Sequence, residues 1–505
     1  MASSKMPAMA TSIALGLVTP LADFLAARAR GSRVIPLTVQ LSADLDTPLS
    51  LFLKVKKPGE LGFLLESVEK GESTGRYSFL GFADQSERLI PPPGADPLEW
   101  LAKILPMESG EALGDLPRFW GGAVGHLGWE AIRTIEPAVG PRPTKFPPID
   151  EPQHAFLKCK RCLIFDHVAQ VITGVVVVIL DQDADQQAAE AAYQQGLERL
   201  HRLQERASSS ISMPVAEKPS DFQPEETFLT PRDSFMEKVD ATKEYIRAGD
   251  IFQLVLSQQV RRKTWVDAVS IYRALRMLNP SPYTFLLDFA DYQLVGSSPE
   301  MLVQLTGQRA VVCPIAGTRK RTGFDNVDKE AETDMLNDPK ERAEHLMLVD
   351  LGRNDLGRVC EYGSVEVPRY SEVEYYSHVM HMVSRVEGRL RPDKTSFDLV
   401  RSAFPAGTVS GAPKIRAIQL IDQLEDHPRG FYAGAVGYFG NWGSLDTCIA
   451  IRTLMLKDGW AVMQAGAGIV ADSDPAKEWD ETMNKLAGIR QAVDMAEQSF
   501  GGQPL

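Results

Sequence analysis

The sequence predicts an α+β fold in which antiparallel sheets are covered by helices. Three observations lead there. Two long stretches, 281–321 and 432–470, read as successive strands joined by turns bearing Gly or Asp. Helical periodicity marks the segments between and around them, most clearly 186–207 and 475–498. No repeat of fixed short period runs through the chain, which sets aside solenoids and propellers.

Taken in order, residues 1–31 hold a short apolar run interrupted by Pro20 and Asp23, with no clean small-residue cleavage site. This reads as an N-terminal helix rather than a secretory leader. From about 34 to 183, runs rich in β-branched and aromatic residues alternate with Gly/Pro turns, as in "RYSFLGFAD", "RFWGGAVGHLGWEA" and "AQVITGVVVVILD". A strong helix follows in "QQAAEAAYQQGLERLHRLQERA". The polar, Pro- and Ser-bearing stretch 208–230 lacks a period and reads as a linker, dividing an N-terminal region 1–207 from a C-terminal region 231–505. Beyond it, "SFMEKVDATKEYIRAGD" is a helix and "IFQLVLSQQVRR" a strand. Strands and helices then alternate to a final helix over about 475–498.

With 505 residues, two domains or one large composite domain are expected. Hydrophobic content of 44% and charged content of 24% are ordinary for a water-soluble globular protein. A net charge of -13 argues against nucleic acid or an anionic membrane as partner. No apolar stretch reaches the length of a membrane span. The five cysteines are too sparse for a disulfide framework and suggest a reducing cytoplasm. Cys159 and Cys162 form one C-x-x-C, but no second ligand pair accompanies it, so two packing thiols are expected rather than a zinc site.

The chemistry is concentrated in a few places. In "KERAEHLMLVDLGRND", Glu341 and Glu344 share one helix face at i and i+3. In "DPAKEWDETMNK", Glu478 and Glu481 repeat that spacing at the start of the last helix. Each pair alone is an ordinary solvated helix edge. Facing each other, four carboxylates require a cation, and hard oxygen donors select Mg²⁺, Mn²⁺ or Ca²⁺. A di-iron bundle, which needs four helices bearing Glu-x-x-His pairs, is disfavoured because His345 follows Glu344 directly and β-rich segments dominate. "FPAGTVSGAPKIRAI" is Gly-rich and opens a helix but fails the phosphate-loop spacing. It and "QAGAGIV" retain small residues whose amides can approach an anionic ligand. Arg452 sits among apolar residues in an expected strand and needs a carboxylate partner, internal or from a ligand. His378 and His381 stand at helical spacing if their segment is a helix; either can be a structural histidine, and one of them in a cleft would exchange protons near neutral pH. Carboxylates, Arg, glycine amides and His together suit a small dicarboxylate held on a divalent cation.

The segments "PIAGTRKR", "ERAEHLMLVDLGRND", "HVMHMVSRVEG", "AGTVSGAPKIRAI", "GAVGYF" and "QAGAGIVADSDPAKEWDET", in this order, strongly resemble the chorismate-utilising enzymes, and among them the large-subunit (component I) family of anthranilate synthase. The match is dense over about 230–497 and looser before it, mainly through "FLLESVEKGESTGRYSFLG". The resemblance implies two large antiparallel sheets in a sandwich, helices outside and the site in the cleft between. It implies Mg²⁺ on Glu344 and Glu481, with Glu341 and Glu478 in support, holding the ring carboxylate of chorismate. Gly317, Thr318, Tyr432, Arg452, Gly466, Ala467, Gly468 and Lys485 match chorismate contacts, with Tyr432 and Arg452 serving the enolpyruvyl carboxylate. His381 matches the histidine tied to pyruvate elimination, Glu300 the acid for the departing hydroxyl, and Thr408 lies in the matching loop.

Two positions choose within the family. Water-adding relatives, the isochorismate and salicylate synthases, carry a lysine base where this chain has Gln253. Para-aminating relatives (aminodeoxychorismate synthases) carry a lysine nucleophile where this chain has Ala316, and a methyl group forms no covalent adduct. Ortho amination by ammonia followed by loss of pyruvate remains, a lyase reaction on the path to tryptophan. A binding or regulatory homologue that has lost its chemistry is the alternative outside this class, and the full set of motif residues weighs against it. Ser67 and the run Pro282, Tyr283 and Thr284 resemble a tryptophan-inhibition pocket, with Thr284 where the family usually has Met. No cysteine sits in a nucleophile elbow, so glutamine use calls for a separate amidotransferase subunit, two copies of each making a heterotetramer.

Overall fold

The computed structural model describes residues 16, 18–67, 75–105, 113–213, 216–375 and 379–499. Among these, two large antiparallel sheets stack face to face. The first has the strand order Val34–Ser42, Val171–Ile179, Arg161–Asp166, Tyr77–Ala83, Leu61–Glu66, Tyr283–Asp288, Gln293–Ser298, Thr453–Lys457, Trp460–Ile469, Gln253–Lys263, Gly411–Ala412. The second runs Ile315–Lys320, Val379–Arg389, Arg309–Val312, Met301–Thr306, Leu445–Ile449, Ala435–Gly440, Gly122–Leu127, His154–Cys159, Arg88–Leu89. Two further strands pair at the margins: Glu226–Phe228 on Gln253–Lys263, and Glu366–Tyr375 on Val379–Arg389. The α+β sandwich expected from the sequence is thus the one found.

The strand Val171–Ile179 shows why its sequence is a continuous apolar run rather than an alternating one. Val175 and Val177 enter the core between the sheets, while Ile172, Val176 and Val178 lie under helices on the outer face. The helix Gln186–Ala207, as the sequence foretold, covers that face. It comes close because Gly196 has no side chain: a Cβ there would stand 2.5 Å from Leu37 Cδ1.

Both expected meanders cross between the sheets. Tyr283–Asp288 and Gln293–Ser298 belong to the first, and from Met301 onward the chain belongs to the second. Likewise Leu445–Ile449 lies in the second sheet and Thr453–Lys457 in the first. Periodicity reports that a residue is in a strand but not which sheet the strand joins. Each sheet draws strands from both sides of 208–230, and the end of that segment is itself a short strand, Glu226–Phe228. Cys159 and Cys162 are buried free thiols at the crossover from His154–Cys159 to Arg161–Asp166.

One expectation of local structure changes, and one point left open is decided. Arg452 is not in a strand: it sits at the bend between Leu445–Ile449 and Thr453–Lys457 with φ +51°. His381 lies on the strand Val379–Arg389 rather than on a helix, and His378 falls outside the described residues. Near the other end of the chain the described helix is Leu21–Ala29; most of 1–17 also falls outside.

The helices with paired glutamates are Pro339–Gly357 and Pro475–Ser499. The first packs on the second sheet, against Ile315–Lys320 and Val379–Arg389; Gly352 permits the approach, since a Cβ there would meet Val312 at 2.9 Å. The second packs on the first sheet against Trp460–Ile469, burying Leu486, Ile489, Ala492 and Val493. All four glutamates fall in the opening turns of these helices.

Candidate active site

Glu300 stands where the chain passes from the first sheet to the second, between Gln293–Ser298 and Met301–Thr306. Burial pushes its carboxyl up to about 7, against the opposing pull of Thr408 and Lys485. The Thr408 hydroxyl donates to Glu300 Oε1 at 2.6 Å. Thr408 is carried by the single turn Gly407–Val409 that precedes the strand Gly411–Ala412. A carboxyl with this affinity is partly protonated at neutral pH and can serve as an acid.

His381 Nδ1 lies 3.2 Å from the carbonyl oxygen of Gly317. A carbonyl only accepts, so Nδ1 carries the proton and Nε2 of the neutral ring bears the lone pair. Burial lowers the His381 pKa and Arg452 adds to it, against the Gly317 hydrogen bond and Glu374, which raise it. Gly317 interrupts the pairing of Ile315–Lys320 with Val379–Arg389, between Ala316 opposite Met382 and Thr318 opposite His381. Its φ is +60°, and a Cβ there would stand 3.1 Å from Met335 Sδ, so the position demands glycine.

The strand Trp460–Ile469 pairs with Gln253–Lys263 along its length, but with Thr453–Lys457 only as far as Met463. Beyond Met463 its second edge is not paired with a strand among the described residues. Lys485 Nζ donates to the Gly466 carbonyl at 2.9 Å on that edge. Backbone groups alternate in direction along a strand, so Gly466 and Gly468 present theirs to the open edge and Ala467, opposite Leu256, faces its partner. Added side chains would not fit: a Cβ on Gly466 would meet the Tyr432 hydroxyl at 2.9 Å, and one on Gly468 would meet Gln253 Nε2 at 2.7 Å. Tyr432 is buried, which pushes its phenol up to about 12 and keeps it a neutral donor. Arg452 donates Nη1 to the Lys485 carbonyl at 2.7 Å. Among the described residues no carboxylate pairs with it, and burial lowers its pKa, so an anionic ligand would complete its environment.

Among the described residues no three His, Cys, Asp or Glu side chains are gathered at metal-binding spacing. Glu481 Oε1 lies 2.6 Å from Lys485 Nζ, and Glu341 Oε1 lies 3.0 Å from Arg319 Nη1. The carboxylates nonetheless share one field. Burial raises the Glu344 pKa, with Glu341 and Glu481 adding repulsion; Glu478 is raised by burial and by Glu481. Oxygen-only donors that repel one another fit a hard divalent cation. Arg319 has one signal in the sequence, the basic run following Gly317 and Thr318, and no motif singles it out.

Ser67, Pro282, Tyr283 and Thr284 line one cavity of about 180 Å³ between the sheets. Among the described residues Ser67 Oγ is buried there without a hydrogen-bond partner, whereas Thr284 Oγ1 bonds to Ser297 Oγ at 3.2 Å. The opposite wall includes Ile315 and Val383, cross-strand partners on the strands that carry Gly317 and His381.

The family model described as chorismate binding enzyme matches residues 63–491. The chain belongs to the chorismate-binding enzymes. Among curated members of this family, it is 43% identical to anthranilate synthase component 1 of Aquifex aeolicus, over 92% of this chain and 96% of that one. It is 41% identical to the component 1 of Pseudomonas putida, over 94% and 99%. Among solved structures of chorismate-binding enzymes, anthranilate synthase component I from Streptococcus pneumoniae superposes with a TM-score of 0.70 at 36% identity, covering 89% of this chain and 99% of that one. The menaquinone-specific isochorismate synthase of Escherichia coli superposes at 0.68 with 18% identity, covering 94% and 99%, a likeness of fold.

Proposed function

We infer that the chain is an anthranilate synthase large subunit. It aminates chorismate at the ring carbon ortho to the carboxylate, with loss of the 4-hydroxyl, and then eliminates pyruvate to leave anthranilate. The atoms balance as chorismate plus ammonia giving anthranilate, pyruvate and water. The observation that carries this reading is the Thr408–Glu300 contact of 2.6 Å at a carboxyl held near neutral affinity. It supplies an acid for the departing hydroxyl in a site whose other groups suit anions.

The remaining roles follow from chemistry. Arg452, the Tyr432 hydroxyl and the backbone of Gly466 and Gly468 suit the enolpyruvyl carboxylate, with Ala467 between the glycines as backbone support. Gly317 and Thr318 line the ring by their backbone. Neutral His381, with its lone pair on Nε2, suits the proton transfer that accompanies loss of pyruvate. Lys485 balances the charge of Glu300 and of the substrate. Glu344 and Glu481 would hold Mg²⁺, with Glu341 and Glu478 in support; bound there, the ion would act as Lewis acid toward the ring carboxylate. Gln253 beside Gly468 cannot activate water, and Ala316 cannot form a covalent adduct, which supports ammonia as the nucleophile and ortho as its position.

The component 1 names of the relatives imply a second component; we take it to be a separate glutamine-hydrolysing subunit, assembled as two copies of each. Ser67, Pro282, Tyr283 and Thr284 form a pocket suited to tryptophan as feedback inhibitor. No described helix is long and apolar enough to cross a membrane. The deciding experiment mixes purified protein with chorismate, Mg²⁺ and ammonium and identifies the product. Anthranilate with pyruvate supports the reading; para-aminated product, isochorismate or no turnover overturns it. Glutamine supplied without a partner should give no turnover.

A further inference from the structure

Behind the substrate face lies a second layer of polar groups that the reaction itself does not use. Arg429 and Glu425 form an ion pair whose side chains are 1% and 5% exposed. Arg429 Nε donates to Glu425 Oε2 at 3.0 Å and Nη2 to Oε1 at 2.7 Å. The guanidinium has donors to spare, and they go to two backbone carbonyls on different elements. Nη1 reaches Val409 at 2.7 Å, and Nη2 reaches Val255 at 2.7 Å. Val409 follows Thr408 directly. Val255 lies two residues beyond Gln253, on the strand that faces Gly466 and Gly468.

The same side chain lies over the Trp129 ring at 4.3 Å and near the Tyr432 ring at 5.7 Å. Its own carbonyl accepts the Tyr432 amide at 3.0 Å. Glu425 extends the layer. Its Oε1 accepts the Ser257 amide at 2.9 Å and the Ser257 hydroxyl at 2.7 Å. Ser257 stands opposite Gly466 in the register, and Ser257 Oγ accepts Gln464 Nε2 at 2.8 Å.

We propose that Arg429, held by Glu425, is a positioning residue of the active site: one guanidinium locks the Thr408 turn, the Gln253 strand and Tyr432 into a single frame. A buried ion pair is by itself weak evidence of a stabilising role, because well-packed apolar side chains often replace one at no loss. Here the donors left over from the pair end beside residues that face the substrate. A planar fork with five fixed donors can reach a carboxylate and two carbonyls at once, and a lysine ammonium cannot. The proposal rests on the reading of Glu300 and Thr408 as the acid and its partner. Glu300 is also faced by Lys485 and Tyr432, and by Cys313 and Asp355 across a small cavity beneath it.

The test uses R429K, R429M, the double variant E425M/R429M and, as a separate control, E300Q, each as the full chain with chorismate, Mg²⁺ and ammonium. Thermal midpoint, kcat, KM for chorismate and the pH profile are measured for each. R429M leaves Glu425 buried without its charge partner and should lose stability. The double variant removes both charges and should recover most of the midpoint. Its kcat should nevertheless stay roughly tenfold to a hundredfold down, the scale on which misplaced catalytic groups are felt. The fall in activity on the alkaline side should also move to higher pH, because a loosened Thr408 no longer favours the Glu300 carboxylate. R429K should keep the fold and show the same kinetic defect. Wild-type kcat, KM and pH profile in R429K, or in a refolded double variant, overturn the proposal and leave the pair a structural one. E300Q separates the two ideas: if it retains the alkaline limb, the reading of Glu300 fails, while kcat and KM in the Arg429 variants still decide the role of Arg429.

Discussion

The Thr408 hydroxyl donates to Glu300 Oε1 at 2.6 Å, and with Glu300 as the proposed acid that contact should shift how the reaction answers to pH. Burial holds the Glu300 carboxyl near 7, above its ordinary value, and the Thr408 bond opposes that rise. As the proposed acid, Glu300 would work only while protonated. Activity is therefore full below the raised pKa and falls as pH climbs through about 7. Replacing Thr408 by Val removes the bond that favours the carboxylate and should carry the fall to higher pH. E300Q should lower kcat about 100- to 10,000-fold, the usual worth of a positioned acid. A kcat/KM profile from pH 5 to 9 with ammonia concentration held constant checks all three.

Glu344 and Glu481 come from helices that cover different sheets, and repulsion between them contributes to the raised affinity of Glu344 for a proton. Chelation should stop turnover, and added Mg²⁺ should restore it. E341Q and E478Q should raise the half-saturating Mg²⁺ about 10- to 100-fold, as changes beside a metal ligand do, and E344Q and E481Q by more. Mn²⁺ binding followed by spin resonance gives the same ranking without turnover. Equal half-saturation in all four variants would remove these residues from the metal site.

The paired glutamates were legible because helical spacing is local, and both carrier helices appear where the i, i+3 pattern put them. What the sequence did not reveal is tertiary. Arg452 was expected in a strand because apolar neighbours flank it, yet it occupies a left-handed bend as the chain changes sheets. Such a bend is signalled in sequence when glycine fills it, and here an arginine does. His381 reads equally well in a short helix or strand, since brief apolar runs do not separate the two periods. The joint task of Arg429 at Val409 and Val255 depends on segments more than 150 residues apart along the chain, and no local pattern encodes that.

Among the described residues Ser67 Oγ is buried in the cavity between the sheets without a partner, and Thr284, on the neighbouring strand opposite Glu66, is already engaged with Ser297. A bulky residue at 67 would fill the cavity without touching Glu300 or His381. S67F should therefore keep its rate in the absence of tryptophan. Its half-inhibiting tryptophan concentration should rise more than about tenfold, or ~1.4 kcal/mol of lost binding. Rate measured against added tryptophan for both proteins tests this; unchanged inhibition would take the effector site elsewhere.

Gln253 Nε2 lies 2.7 Å from where a Cβ on Gly468 would stand, so its amide borders the edge proposed for the substrate. Replacing it by lysine brings a group that can deprotonate water to the same edge. Q253K should lose anthranilate formation and, at low ammonium, yield a hydroxylated product in its place. Chromatographic separation of products at several ammonium concentrations shows the change. Persistence of anthranilate alone would mean that position 253 does not choose the nucleophile.

Gly317 supplies the carbonyl that orients His381, and it does so from φ +60° with Met335 close by. An alanine there meets both objections at once. The left-handed conformation costs an L-residue about 1–2 kcal/mol, and the Met335 side chain must also shift. G317A should therefore lower the thermal midpoint by a few degrees. Its larger effect should be on the pyruvate-eliminating step, because a displaced carbonyl no longer accepts from Nδ1 and so ceases to favour that tautomer of His381. The aminated intermediate should then accumulate ahead of anthranilate in a single-turnover experiment. If the midpoint falls and both steps slow equally, the Gly317 carbonyl matters to the fold and not to the orientation of His381.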